Sequence, residues 1–342
     1  MNRPIRRVAV AVIVMIVLLL ANATYVQVFQ ADALRNDPFN SRMRYEEYSR
    51  QRGLIVAADG TVLAESVPTD DDLKYLRRYP TAPNAFAPVT GFFSVLLKAD
   101  RGLEHTENSI LSGTDDRLFT QRFMDMFSGR DPRGGNVVTT IDPKLQQAAF
   151  RALRGGDCDG PCRGAVVALE PSTGKILAMV STPSYDPNEL ANPDTEATRA
   201  AWDALNPDDA SSPLINRAIT ALYPPGSTFK VVTTAAGLEH GLNANTRLTS
   251  AAQFRLPGTT TDLPNDSNAV CPGGTAGTVS LLQAFQYSCN TAFAQLVTQK
   301  LGDDPVDEFA KAAAQFGLDS KPSGIPLQVS TSTVGDIGDD DL

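Results

Sequence analysis

Two serines in this sequence stand three residues before a lysine, Ser172 with Lys175 and Ser227 with Lys230. A hydroxyl attacks a carbonyl only when a base takes its proton, and a lysine amine serves as that base once it is neutral. The S-x-x-K spacing therefore offers acyl transfer through a serine, and the surroundings must choose between the pairs. Ser172 and Lys175 fall in and after Pro171-Ser172-Thr173-Gly174, between two apolar runs. That is the pattern of a hairpin tip, where no helix brings the side chains together, and the pair reads as a solvated turn. Ser227 follows Tyr223-Pro224-Pro225-Gly226 and opens a helical pattern from Thr228 to Leu238. A helix N-terminus favours serine and developing negative charge, and positions i and i+3 share a face. Lys230 is the only charge between Ser227 and Leu238, with Phe229, Val231 and Val232 beside it. A helix apolar all round is expected to be buried, which depresses a lysine pKa. The bland alternative is a capping serine and a lysine whose ammonium stays in water.

A second element lies in AFQYSCNTAFAQL, where Ser288-Cys289-Asn290 falls inside a helical pattern from Val279 to about Leu301. A hydroxyl and an amide one residue apart face one reacting centre only where a helix is broken or abutted. Otherwise they are small polar residues at a helix junction, as Ser280 is.

Elements to position these groups are legible on both sides. The charge-free run from Val8 to about Phe29 follows Arg3, Arg6 and Arg7, and about 20 residues cross a membrane core. A retained anchor is expected, with the N-terminus inside, the rest outside, and Tyr25 and Phe29 at the interface. Ala21-Asn22-Ala23 leaves a cleaved signal peptide as the alternative. Gly53 to Ser66 reads as a hairpin turning at Asp59-Gly60. Asn136 to Leu153 reads as a short strand, a proline break and an amphipathic helix, followed by the turn GGDCDGPCRG. Gly164 to Thr182 is a second hairpin, and Pro183 to about Leu214 is polar and irregular, a segment expected to wrap over a surface. A last helix is expected from Pro305 to Phe316. Between the anchor and residue 155 no catalytic constellation is apparent.

Composition narrows the function. At 342 residues the chain is long enough for two cored domains, and a net charge of −9 argues against a nucleic-acid partner. Its two histidines, His105 and His240, lack neighbours at zinc-ligand spacing, so neither a metal site nor a histidine triad is expected. Export turns the four cysteines into disulfide candidates. Local pairing, Cys158 with Cys162 and Cys271 with Cys289, is the simplest of three connectivities; four free thiols are the alternative.

S-x-x-K followed by S-x-N is the ordered signature of penicillin-binding proteins and serine β-lactamases, with K-T-G as third member. YPPGSTFK, YSCNTAF, RGLIVAADGTVLAES, VVTTIDPKLQQAA and VALEPSTGKILAMVS resemble class B penicillin-binding proteins, so the likeness runs from the anchor to the C-terminus. The resemblance implies an α+β chain: a cytoplasmic tail at 1–7, a transmembrane helix at 8–29, a small β-rich pedestal domain at 30–155 and, at 156–342, the N-terminal part of a transpeptidase domain with an antiparallel sheet flanked by helices. It implies Ser227 as acylated nucleophile, Lys230 as general base, and Ser288 and Asn290 for proton relay and substrate positioning, with no cofactor. The implied partners are peptidoglycan stem peptides and lipid-linked precursors, β-lactams as inhibitors, and a glycosyltransferase or division proteins at the pedestal. One departure stands out: no K-T-G follows Asn290. In the family that motif's strand lies beside the nucleophile and contributes an oxyanion N–H. A C-terminally truncated chain, with a domain open on one side and inactive as given, is therefore expected.

Three functions compete: a D,D-transpeptidase; a β-lactamase, poorly served because no Glu follows Glu308 to act in deacylation; and a non-catalytic membrane-anchored scaffold.

Overall fold

The computed structural model describes residues 2–335 apart from 31–48, 70–73, 119, 121–123, 126, 127, 129–132, 157, 159–161 and 303. The chain divides into two compact units, Met1–Ala218 and Ile219–Leu342.

The first unit begins with helix α1, Asn2–Val28, whose apolar part Ile5–Val28 is long enough to cross a membrane. Strands β1 (Ile55–Val56) and β2 (Val62–Pro68) pair antiparallel around Asp59-Gly60, where Gly60 adopts φ +87°. β2 also pairs with β3 (Tyr75–Arg78). Helix α2 (Pro83–Thr90) leads to the short pair β4 (Phe93–Ser94) and β5 (Ala99–Asp100), then β6 (Val137–Val138) runs parallel to β1. The sheet order is β3-β2-β1-β6, and Ile55, Leu63, Phe86, Phe92 and Leu111 are among the fully buried residues of this unit. At Gly53 a Cβ would lie 1.8 Å from the Gly135 carbonyl oxygen, so only glycine lets the two segments approach.

Three charges are sealed together inside this unit. Glu104 is 0% exposed; Arg52 donates to its Oε2 at 2.9 Å and Arg77 to its Oε1 at 2.6 Å. The Tyr79 hydroxyl lies 3.3 Å from the same Oε1, and the Arg52 guanidinium stacks 3.8 Å over the Phe93 ring. Burial alone would raise the Glu104 pKa, but the two guanidiniums outweigh it and hold the carboxyl below its usual range. Burial and the Glu104 charge push the Tyr79 phenol well up. No sequence signal announced this cluster, because its members come from three separate segments.

Helix α3 (Pro143–Arg154) starts where proline predicts: Asp142 caps it, accepting from Lys144 N and Leu145 N at 2.8 and 3.0 Å, with Pro143 in the first turn. Strands β7 (Gly164–Glu170) and β8 (Lys175–Thr182) form the expected hairpin. Gln146 of α3, fully buried, donates to Met179 O at 2.6 Å and accepts from Met179 N at 2.7 Å. These bonds fasten the hairpin into the first unit, so packing divides the chain at 218/219, whereas the Gly/Cys turn divides the sequence at 155/156.

Residues 183–214 differ from the irregular segment expected. They hold two helices, α4 (Pro187–Leu190) and α5 (Thr195–Ala204), and Leu190 and Leu214 enter a core with Ala87, Phe92 and Tyr185. The overlooked signals are the caps: Asp186 before Pro187, and Asp194, which accepts from Glu196 N and Ala197 N at 2.9 Å.

In the second unit a one-turn 3₁₀ segment, Gly226–Phe229, runs into α6 (Lys230–Glu239). β9 (Arg247–Thr249) pairs antiparallel with β12 (Thr278–Ser280), and β10 (Gln253–Arg255) with β11 (Asp262–Pro264). Three helices follow: α7 (Leu281–Gln286), α8 (Asn290–Lys300) and α9 (Pro305–Gln315). The core joins Val232 and Ala236 of α6 to Ala292, Phe293 and Leu296 of α8 and Ala312 and Ala313 of α9.

Two expectations are corrected here. α6 is buried on one face only, with Val231 and Leu238 about half exposed, because α8 and α9 cover a single side of it. The helical pattern from Val279 to Leu301 is two helices, not one. Ser280 and Gln283 form a reciprocal capping box that starts α7 at Leu281, and Ser288 at φ +56° separates α7 from α8.

Candidate active site

The 3₁₀ turn explains how Ser227 meets Lys230. With three residues per turn, side chains at i and i+3 eclipse, and Lys230 Nζ lies 3.2 Å from Ser227 Oγ. The break between α7 and α8 delivers the rest. Lys230 Nζ donates to the Ser288 carbonyl oxygen at 2.8 Å and to Asn290 Oδ1 at 2.7 Å, and lies 2.9 Å from Ser288 Oγ. Ser288 Oγ is in turn 3.0 Å from Ser227 Oγ. Two hydroxyls and an amine thus close a ring of hydrogen bonds between Ser227, Lys230 and Ser288, with the Asn290 amide attached at the lysine.

Ser227 and Ser288 are exposed, while Lys230 and Asn290 are half-buried. Partial burial pushes the Lys230 pKa down. All its hydrogen-bond partners are neutral, so no carboxylate restores the charge. This is the environment a lysine base needs: an amine that gives up its proton more readily than a free lysine, touching a hydroxyl.

The other S-x-x-K pair is left on the hairpin between β7 and β8, where residues 171–175 are exposed and Gly174 sits at φ +73°. All four cysteines are paired, Cys158 with Cys162 and Cys271 with Cys289, at Cα separations of 5.4 and 5.7 Å. The second pair pins the residue between Ser288 and Asn290. Two residues that sequence reasoning missed complete the surroundings. Asn290 Nδ2 donates to Pro264 O at 3.1 Å, and Asn265 Oδ1 accepts from Thr291 N at 3.0 Å. Nothing in their spacing relates them to the motif 25 residues on.

Residues 164–335 match the penicillin binding protein transpeptidase domain, and residues 52–137 the penicillin binding protein A dimerisation domain. The chain belongs to the penicillin-binding protein family. It is 58% identical to peptidoglycan D,D-transpeptidase PbpA of Mycolicibacterium smegmatis over 99% of its own length, and 55% identical to PbpA of Mycobacterium tuberculosis. It spans 67% of each of those relatives. Among solved structures, the imipenem acyl-enzyme complex of penicillin-binding protein A from M. tuberculosis superposes with a TM-score of 0.80 at 54% identity, covering 87% of this chain and 66% of that one. The family match beginning at 164 takes in the β7–β8 hairpin that packing assigns to the first compact unit.

Proposed function

We propose that this chain carries the nucleophile of a serine D,D-transpeptidase, with residues 30–155 as pedestal and 156–342 as the transpeptidase part. The observation that carries this reading is the hydrogen-bonded cluster in which Lys230 joins Ser227, Ser288 and Asn290. In the first step neutral Lys230 takes the Ser227 proton as Oγ attacks the penultimate D-Ala carbonyl of a stem peptide. The tetrahedral centre collapses, the C–N bond breaks, and the departing D-Ala amine receives a proton through Ser288, which lies between the lysine and the nucleophile. An amine on a neighbouring stem then attacks the ester, yielding the cross-link and restoring the Ser227 hydroxyl. Asn290 holds the lysine and leaves its other amide proton for substrate. β-Lactams acylate the same serine and block it.

Under this reading α1 anchors the chain with its arginines cytoplasmic and the bulk outside, where lipid-linked precursors and a glycosyltransferase or division proteins meet the pedestal. An export-dependent reporter fused after Asp37 tests the orientation; activity is expected, and cytoplasmic retention would refute it. The competing reading is a non-catalytic membrane-anchored scaffold. Labelling with a fluorescent penicillin separates the readings. In a version of the chain extended through K-T-G, covalent labelling lost in Ser227→Ala is expected, and labelling that persists without Ser227 would discard the assignment.

A further inference from the structure

The second-motif residues occupy positions that their own helix does not secure. Ser288 is held in the left-handed region, and α8 begins without a side-chain cap because its N-cap residue, Cys289, is bonded to Cys271. A helix start needs acceptors for its first N–H groups. One acceptor comes from outside the helix. Asn265 Oδ1 receives Thr291 N at 3.0 Å, while its amide group donates to Ala251 O at 2.9 Å and Ala269 O at 3.1 Å. The Thr291 hydroxyl bonds Ala251 O at 2.9 Å and lies 3.2 Å from Asn265 Oδ1. Asn265 is 8% exposed and Thr291 fully buried, so solvent does not substitute for these bonds. The preceding residue grips the motif as well: Pro264 O accepts Asn290 Nδ2 at 3.1 Å, which turns Oδ1 toward Lys230 Nζ at 2.7 Å. The consecutive pair Pro264-Asn265 thus holds the consecutive pair Asn290-Thr291.

We propose that Asn265 is a positioning residue for acyl transfer, capping α8 at Thr291 from the end of β11 and so holding Asn290 and Ser288 against Lys230. The proposal rests on the reading of Ser227 as nucleophile. The division of labour has a physical reason: a side chain spent on a disulfide at the N-cap cannot also accept from the helix, so the cap is supplied by another segment. Asn265 suits the place because it offers an acceptor to the helix and two donors to the carbonyls behind it.

Two variants, made in a version of the chain extended through K-T-G, separate positioning from bulk stability. Asn265→Leu removes the acceptor and both donors at similar volume. Asn265→Asp keeps an acceptor for Thr291 N and loses only the donors. The second-order rate of labelling by a fluorescent penicillin, per folded molecule, is measured beside Tm and the amide hydrogen exchange of residues 288–293. The expected result is that Asn265→Leu slows labelling on the order of 10²-fold and speeds exchange. Asn265→Asp should recover most of both, although its Tm stays below that of the unaltered chain. Equal loss in the two variants, or no loss in either, overturns the proposal. Unaltered protein that fails to label, or Ser227→Ala that still labels, defeats the nucleophile reading; the exchange comparison then decides the role of Asn265 by itself.

Discussion

The first unit holds two arginines around Glu104, and the second holds Lys230 among two serines and an asparagine, and the two clusters treat charge in opposite ways. Around Glu104 every ionic member is sealed and faced by opposite charge, which locks the carboxyl in its ionised form. Around Lys230 partial burial weakens the hold on the proton, and every hydrogen-bond partner is neutral. Opposite charge fixes a protonation state and suits a scaffold; neutral acceptors with mild desolvation leave a lysine able to exchange its proton and suit a reaction. Burial depth alone would have misled, since it is the shallower cluster whose lysine lies against the candidate nucleophile, Ser227.

Each side of that contrast can be broken separately. The largest effect is expected from Lys230→Met, which removes the proposed base while leaving an apolar stem: labelling by fluorescent penicillin should fall about 10²–10⁴-fold with little change in Tm. A fall of less than tenfold would transfer the base role elsewhere. Glu104→Gln should do the reverse, destabilising the first unit by about 3–5 kcal/mol because two buried guanidiniums lose their shared counter-charge. Denaturant unfolding measures this, and an unchanged midpoint would show the cluster to be dispensable.

The pH responses should also run apart. Glu104 has a folded pKa below its unfolded one, so its contribution is present above the usual carboxylate range and is lost as pH falls through the folded value. Lys230 has a depressed folded pKa too, but as a base it gains function as pH rises through that value, below the titration of an ordinary lysine. Labelling rate against pH should therefore climb over a range where the first unit's stability is flat; a rate that is flat through neutral and mildly alkaline pH would contradict the lysine's role. The smallest effect is expected from Ser172→Ala on the exposed hairpin: within about 0.5 kcal/mol in stability and no change in labelling.

Much of this was legible in the chain itself. Turn residues and proline placed the two hairpins and α3 close to where they lie, since Asp59-Gly60, Pro171 to Gly174 and Asp142-Pro143 impose their conformations locally. The choice of Ser227 over Ser172 needed only the difference between a helix mouth and a hairpin tip. Three features were not foreseen, one because composition masked a local signal and two because they depend on contacts between distant segments. The caps at Asp186 and Asp194 were readable but were hidden by polar composition. The division at 218/219 depends on Gln146 bonding a strand 33 residues away, which no pattern within either segment announces. The half-exposure of α6 depends on how many helices cover it, a property of its neighbours.

What the sequence determined was the chemistry, because residue type and short spacing fix which groups can act as nucleophile, base and relay. The tertiary structure decided their meeting. Ser288 reaches Ser227 only because α7 and α8 part at a left-handed residue, and Asn290 faces Lys230 because Pro264 and Asn265 hold it from another strand. Long-range hydrogen bonds of that kind depend on the packing of segments far apart in the chain, and no local pattern encodes them.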